Sequence, residues 1–332
     1  MWRDRIKKKR ESLKNSVFVV NKLYLPVLFL LLAISDWVLA ICSITGYFIV
    51  YLIHIFSARL PIENKGSFKY ITKVYKELEG GELKMDIWYP NHPDTAYPLV
   101  LFAHGGGWIS GFRNQPNNIS WCKYLAFNGF VAASIDYRFG IKNSMQDILA
   151  DYDDALNYIR RHAGKLKIFT DNIILMGLSA GGHLSLLYAS FYSYKQDKKR
   201  MEGISGVVAY YAPSDLSDLL SEESRSLFAR FAAIKTLKGK PEEQEDYEYY
   251  SPVQWVSGNM PPVLIVHGKY DRIVPFSSTI KLAEKFDEYG VLYKLLIHPN
   301  GDHCFEINSK DYQTIRILRV TINWIKERFK KE

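Results

Sequence analysis

Ser179 stands in the pentapeptide Gly177-Leu178-Ser179-Ala180-Gly181, after an apolar run over 173–176 and before a helix-like stretch over 182–191. A serine at such a strand-to-helix turn is held in a strained backbone with its hydroxyl pushed outward, and the flanking glycines are needed because a Cβ would clash. The motif reads as a nucleophile elbow. A serine hydroxyl is a weak nucleophile at neutral pH, so a base must take its proton and a carboxylate must orient that base. Two strand-like runs further on, 263–266 and 292–297, lead into His267-Gly268-Lys269-Tyr270-Asp271 and Pro299-Asn300-Gly301-Asp302-His303. Asp271 and His303 therefore fall just past consecutive strand ends, and parallel strands bring such loops to one edge of a sheet.

A second element precedes the elbow by 75 residues, where the apolar run 99–103 ends in His104-Gly105-Gly106-Gly107-Trp108. Three successive glycines carry a large entropic penalty, which is repaid where bare amides must approach something closely. Behind a serine elbow that something is the oxyanion of a tetrahedral intermediate. Gly106, Gly107 and Ala180 are the expected donors. Asp302 adjoins His303, but neighbouring side chains diverge, so Asp271 is the better orienter and Asp302 is expected to cap its loop. His267 reads as a satisfied structural histidine, His183 as facing its own helix, and His104 as shaping the glycine loop.

With these residues in view, the chain resembles an α/β-hydrolase esterase of the hormone-sensitive-lipase-like and bacterial feruloyl or acetylxylan esterase-like (BD-FAE-like) group. The resemblance is carried by His104 to Trp108, Asp136-Tyr137-Arg138, Asp151, Gly177 to Gly182, Ser251-Pro252, His267 to Asp271 with Val274-Pro275, and Gly301 to His303. It implies hydrolysis of carboxylic esters with Ser179, Asp271 and His303 as the triad, no cofactor and no metal. Lipase-like members carry an N-terminal helical cap, whereas the segment after Arg59 is strand-like here, which points to short acyl groups.

The elements that must position these groups alternate. Strand-like runs over 69–78, 82–89 and 97–103 are followed by helix-like 121–127, a strand over 129–136, a helix over 145–162, the elbow strand and a strand over 205–211, with later helices over 280–289 and 312–329. This pattern predicts an α/β fold, a mostly parallel central sheet covered on both faces. Between 213 and 255 a polar insertion breaks the alternation and is read as a lid. Its run of acids and tyrosines, Glu242 to Tyr250, fits either a sugar-stacking surface or a solvated acidic helix face. Arg138 and Asp151, thirteen residues apart, are expected to form a structural ion pair.

At 332 residues and 48% hydrophobic content the chain can bury one large core, which leaves no room for a second catalytic domain. The net charge of +8 is concentrated in residues 1–22, where eight basic and two acidic residues leave only +2 for the rest. A nucleic-acid partner is thereby excluded, because the catalytic part has no basic stripe. Next to the basic tail lies a 32-residue apolar run over 25–56, interrupted only by Asp36 and His54. A single crossing takes roughly 20 residues and two take roughly 40. One crossing over 37–56 is favoured, since 23–35 is short and contains Pro26; a two-crossing hairpin is the alternative. The run is longer than a secretory signal and lacks a small-residue cleavage site. Lys7, Lys8, Lys9 and Arg10 keep the N-terminus cytoplasmic, so one crossing puts the catalytic part outside and two put it in the cytoplasm.

The expected organisation is thus a basic tail over 1–22, an anchor over 23–58 and a catalytic domain over 59–332. The three cysteines make neither a disulfide framework nor a metal site, and nothing in the sequence sets an oligomeric state. The reading is a membrane-anchored serine carboxylesterase acting on short acyl esters of small molecules or polysaccharides. A lipase or acyltransferase using the same triad, and a silent membrane-tethered binding module, are the alternatives.

Overall fold

The computed structural model describes residues 41–43, 45–46, 57–62, 66, 68–90, 95–239 and 244–329. The chain divides between Ser57 and Ala58. In the first unit the described residues are helical, and the basic tail and most of the apolar run lie outside them. Among the described residues no helix is long and apolar enough to cross a membrane.

The second unit is built on eight strands: β1 (Tyr70–Leu78), β2 (Gly81–Trp88), β3 (Tyr97–Ala103), β4 (Val131–Ile135), β5 (Ile168–Leu178), β6 (Ile204–Tyr210), β7 (Val263–Gly268) and β8 (Tyr293–His298). They form one sheet in the order β1-β2-β4-β3-β5-β6-β7-β8. β1 and β2 are an antiparallel hairpin, and β2 also meets β4 antiparallel. From β4 onward every pairing is parallel. The central strands are buried on both faces, as parallel strands between helical layers must be.

Nine α-helices are described: α1 (Pro116–Phe127), α2 (Met145–Leu166), α3 (Ala180–Tyr194), α4 (Lys198–Met201), α5 (Leu227–Leu237), α6 (Gln244–Tyr249), α7 (Phe276–Tyr289), α8 (Phe305–Asn308) and α9 (Tyr312–Phe329). Period-two alternation sorts the sheet's side chains between two cores. Leu99, Leu101 and Ala103 join Ile148 and Tyr152 of α2, Leu184 of α3 and Phe286 of α7 on one face. Val100 and Phe102 join Trp121 and Leu125 of α1 and Ile317 and Leu318 of α9 on the other.

Strand β3 and helix α9 have the bounds expected from the sequence. α1 starts five residues earlier than expected, because Pro116-Asn117-Asn118 have poor helix propensity but suit a first turn. Proline loses nothing there, and buried Asn118 anchors the turn through an Nδ2 hydrogen bond of 2.9 Å to the Phe112 carbonyl. α2 opens on a capping box, Ser144 and Asp147 bonding each other's backbone N–H.

The Arg138–Asp151 pair forms. The fully buried Asp151 carboxylate accepts from Arg138 Nε and Nη2, both at 2.8 Å, from the Arg138 N–H at 3.0 Å and from Lys76 Nζ at 2.7 Å. The loop after β4 is thereby tied to α2 and β1. Neutralising the buried carboxylate leaves Arg138 and Lys76 with only the more exposed Asp147 and Asp154 as partners, so Asp151→Asn is expected to lower stability by about 3 kcal/mol. Urea titration checks this, together with the specific activity of the folded fraction, which should stay within a factor of about two of the parent.

Candidate active site

β5 delivers Ser179 at the C-terminal edge of the sheet. The serine has φ 50° and ψ −116°, and its carbonyl accepts the first helical bond of α3, from His183 N–H at 2.9 Å. The neighbouring glycines follow from sterics. A Cβ on Gly177 would overlap the Gly181 carbonyl, and one on Gly181 would overlap the Ala103 carbonyl at the end of β3. The Ser179 N–H donates to the Tyr210 carbonyl at 2.9 Å, fastening the turn to the end of β6.

His303 Nε2 lies 3.1 Å from Ser179 Oγ, and His303 Nδ1 lies 2.7 Å from Asp271 Oδ2. With the carboxylate at Nδ1 the imidazole proton sits there, leaving Nε2 to accept from the serine hydroxyl. The other oxygen of Asp271 accepts the N–H groups of Ile273 and Val274 at 2.8 and 2.9 Å, so the carboxylate cannot swing. Burial favours the protonated form of Asp271, but the adjacent imidazoles of His303 and His267 outweigh it and hold the carboxyl well below its usual range. For His303, burial works against the charged ring and the charge of Asp271 works for it, with a net rise above the usual value of 6.5.

The glycine loop abuts the elbow: a Cβ on Gly105 would sit 3.2 Å from the Leu178 carbonyl and 3.5 Å from Ser179 Cβ. Gly106 and Gly107 have φ +125° and +61°, a conformation that glycine takes without strain. The Gly106 carbonyl closes the turn by accepting the N–H groups of Ile109 and Ser110 at 3.2 and 3.1 Å. The N–H groups of Gly106, Gly107 and Ala180 meet no backbone acceptor among the described residues. Behind the loop, His104 stacks on Tyr137 at 4.2 Å, and its Nδ1 lies 2.7 Å from the Gly105 carbonyl. Burial lowers its pKa to about 4, the Gly105 carbonyl and the charge of Asp136 opposing. Neutral and enclosed, it shapes the loop.

His267 has the partners of a structural histidine, Thr279 Oγ1 at 2.6 Å and the Val274 carbonyl at 3.1 Å, but its Nε2 also lies 3.3 Å from Asp271 Oδ2. It is part of the carboxylate's surroundings, a contact that four residues of sequence separation do not disclose. Asp302 holds backbone, accepting the N–H groups of Arg272 and His303 at 3.0 and 2.8 Å. His183 departs from expectation. It does not merely face its own helix: Nε2 lies 2.7 Å from the Tyr250 carbonyl, and Trp108 meets its ring edge-on at 5.0 Å, so it links the elbow helix to the 213–255 insertion.

That insertion is fastened by Ser251, whose hydroxyl accepts the Leu216 N–H at 2.8 Å and donates to the Tyr247 carbonyl at 2.6 Å. Its helix α5 lies over the glycine loop, since a Cβ on Gly107 would meet Ala232 Cβ at 2.9 Å and Phe228 at 3.0 Å. Glu245, Asp246 and Glu248 of α6 are exposed while Tyr247 is buried, which matches a solvated acidic face. A cavity of about 450 Å³ opens beside Asp271, lined by Glu222, Glu223, Lys269 and Phe276 among others. Ser179 is not among its walls. Among the described residues no three His, Cys, Asp or Glu side chains are grouped to hold a metal ion.

Two residues behind His303 carry no recognisable motif. The Tyr211 ring packs 4.5 Å from the imidazole, and its hydroxyl donates to Glu306 Oε1 at 2.6 Å. Both are buried. Only the positive φ of Tyr211, 37°, marks a local peculiarity.

Known proteins share this architecture. The BD-FAE family model matches residues 85–286, from β2 to α7, and stops short of His303. Esterase LipC of Mycobacterium tuberculosis is 29% identical over 211 residues, 60% of this chain and 51% of that protein. A probable isoprenylcysteine alpha-carbonyl methylesterase of Oryza sativa is 23% identical over 232 residues, 66% of this chain and 55% of that one. The chain thus spans about half the length of the curated relatives it matches. Among solved structures, Thermogutta terrifontis esterase 2 phosphonylated by sarin is similar with a TM-score of 0.66 at 25% identity, over 81% of this chain and 97% of that one. A truncated carbohydrate esterase from gut microbiota has a TM-score of 0.64 at 22% identity, over 81% and 99%, a likeness of fold. With its mostly parallel sheet, its serine elbow and a family match over most of its length, the chain belongs to the BD-FAE family of α/β-hydrolase esterases.

Proposed function

We propose that the chain is a serine carboxylesterase acting through Ser179, His303 and Asp271. The observation that carries this reading is the unbroken hydrogen-bond path from Ser179 Oγ through His303 to Asp271, at 3.1 and 2.7 Å. Ser179 Oγ attacks the ester carbonyl carbon as its proton passes to His303 Nε2. The carbonyl oxygen becomes an oxyanion and is received by the N–H groups of Gly106, Gly107 and Ala180. Collapse breaks the bond to the alcohol, which leaves with the proton from His303, and the acyl group stays on Ser179. Water, deprotonated by His303, then attacks the acyl carbon; collapse breaks the bond to Ser179 Oγ, which regains the proton from His303 as the acid is released. Asp271 holds the ring in place and stabilises the imidazolium formed in each half. Preorganised donors of this kind typically contribute about 100-fold to 1000-fold each.

Short acyl esters are the favoured substrates. Supporting this, α5 covers the glycine loop with Phe228 and Ala232, and the 213–255 insertion is read as the lid. Thermogutta terrifontis esterase 2, 25% identical, has been solved with propionate and with butyrate bound. Acetyl groups on small molecules or on polysaccharides fit the same reading. The apolar run over 25–56 and the cationic residues before it support a membrane anchor, with one crossing and an extracytoplasmic catalytic domain.

Hydrolysis of p-nitrophenyl esters from acetyl to palmitoyl by the full chain in detergent tests the reading. kcat/KM is expected to be highest at two to four acyl carbons and to fall by about 100-fold or more by palmitoyl, as the added methylenes find no pocket. A maximum at long chains would replace this with a lipase reading.

A further inference from the structure

We infer that Tyr211 and Glu306 are positioning residues for His303, a buried pair that fixes the imidazole from behind and couples its protonation to that of a second carboxylate. The inference rests on the reading of Ser179, His303 and Asp271 as the reacting groups. Asp271 holds one edge of the imidazole, through Nδ1, and says nothing about rotation of the ring around that bond. Tyr211 packs against the ring, its centroid 4.5 Å away at a tilted interplanar angle of 55°. Tyr211 is itself immobile. Its N–H donates to the Val266 carbonyl at 2.6 Å, its backbone sits at φ 37°, and its hydroxyl donates to Glu306 Oε1 at 2.6 Å. Glu306 is fully buried at the start of α8, three residues after the histidine it supports at one remove.

The placement of this carboxylate is unusual. One oxygen has the Tyr211 hydroxyl; the other, Oε2, has no partner in good hydrogen-bond geometry, although the indole N–H of Trp121, itself without another partner, acts on the carboxylate. The groups around it are Tyr210 and Tyr211 at the end of β6, Trp121 of α1, and His303 and Cys304 from its own loop. Among them only His303 can become a cation. Burial pushes Glu306 up to about 7, the Tyr211 hydroxyl and His303 opposing, and its charge in turn favours the protonated imidazole. Each group's charge therefore bears on the protonation of the other, which makes them a coupled pair. When His303 takes the proton of Ser179, an ionised Glu306 behind it adds to the stabilisation that Asp271 supplies from the edge.

The test is the pH profile of p-nitrophenyl acetate hydrolysis by the full chain, with Glu306→Gln and Tyr211→Phe, and with Ser179→Ala as the control. Glu306→Gln keeps the shape and removes the charge. Its acid limb in kcat/KM is expected to move about half a pH unit lower and to follow a single ionisation, where the parent limb is broadened by two. Tyr211→Phe keeps the ring but unpartners Glu306, and should lower kcat by about 3-fold to 10-fold with KM unchanged. Parent-like limbs and kcat in both variants would overturn the inference, while an active Ser179→Ala protein would overturn the underlying reading instead. If Glu306→Gln does not fold, the parent protein still decides: its rate of labelling by a fluorophosphonate should rise with pH over a broadened two-group curve, and a single-ionisation curve rejects the pair.

Discussion

Replacing Ser179 by alanine is expected to lower kcat for p-nitrophenyl acetate by at least about 10,000-fold, the scale seen when the nucleophile of such a unit is lost. The fold should survive. Among the described residues the only side-chain bond of Ser179 is to His303 Nε2 at 3.1 Å, and alanine meets the same backbone demand at φ 50°. Single-turnover kinetics with enzyme in excess, beside circular dichroism and Tm, make the measurement. A well-folded Ser179→Ala protein that still shows burst release of p-nitrophenol would remove this serine from the chemistry. One that is silent but unfolded would leave fluorophosphonate labelling of the parent, followed by peptide mapping to residue 179, as the deciding result.

Asp271→Asn is expected to have the next largest effect, a fall in kcat of about 10,000-fold, because the amide can present its N–H to His303 Nδ1 and trap the wrong tautomer. The pH profile carries a second signature. In the parent, Asp271 raises the pKa of His303 against the opposing effect of burial. The base is neutral only above that raised value, so the acid limb of kcat/KM should have its midpoint above pH 6.5, and Asp271→Asn should move it lower. Stability follows with its own sign. The carboxyl of Asp271 is depressed in the folded chain, so its contribution is present above the unfolded value near 4 and is lost as pH falls. The variant should therefore be less stable than the parent at pH 7, with the gap closing below about pH 4. Activity within 10-fold of the parent, with an unmoved acid limb, would assign the orienting role elsewhere. His267, 3.3 Å from the same carboxylate, would be the first residue to examine.

Much of this architecture is written in short stretches of chain. The elbow is legible because a forbidden backbone at Ser179 needs glycines within two residues, and steric exclusion acts between close neighbours. The strand ends that carry Asp271 and His303 are legible because alternation and apolar runs mark each strand, and parallel order sends successive loops to one edge. The Arg138–Asp151 pair is legible for a similar reason, since one turn joins the two segments. What stayed hidden depends on distance in sequence. Tyr211 and Glu306 are 95 residues apart and meet only because β6 and the loop after β8 converge behind His303. His183 reaches the carbonyl of Tyr250 across 67 residues, and the first turn of α1 is built from residues whose propensities argue for a loop.

The sequence alone thus determined the class of fold and the order along the chain of the residues proposed to react, because these follow from backbone sterics and side-chain periodicity over a few neighbouring residues. Only the tertiary structure decided what packs against His303, what covers the glycine loop and which buried carboxylates lie near the imidazole. Those depend on which distant segments the closed sheet brings within about 4 Å of one another, where burial makes a charge or an unpaired oxygen matter.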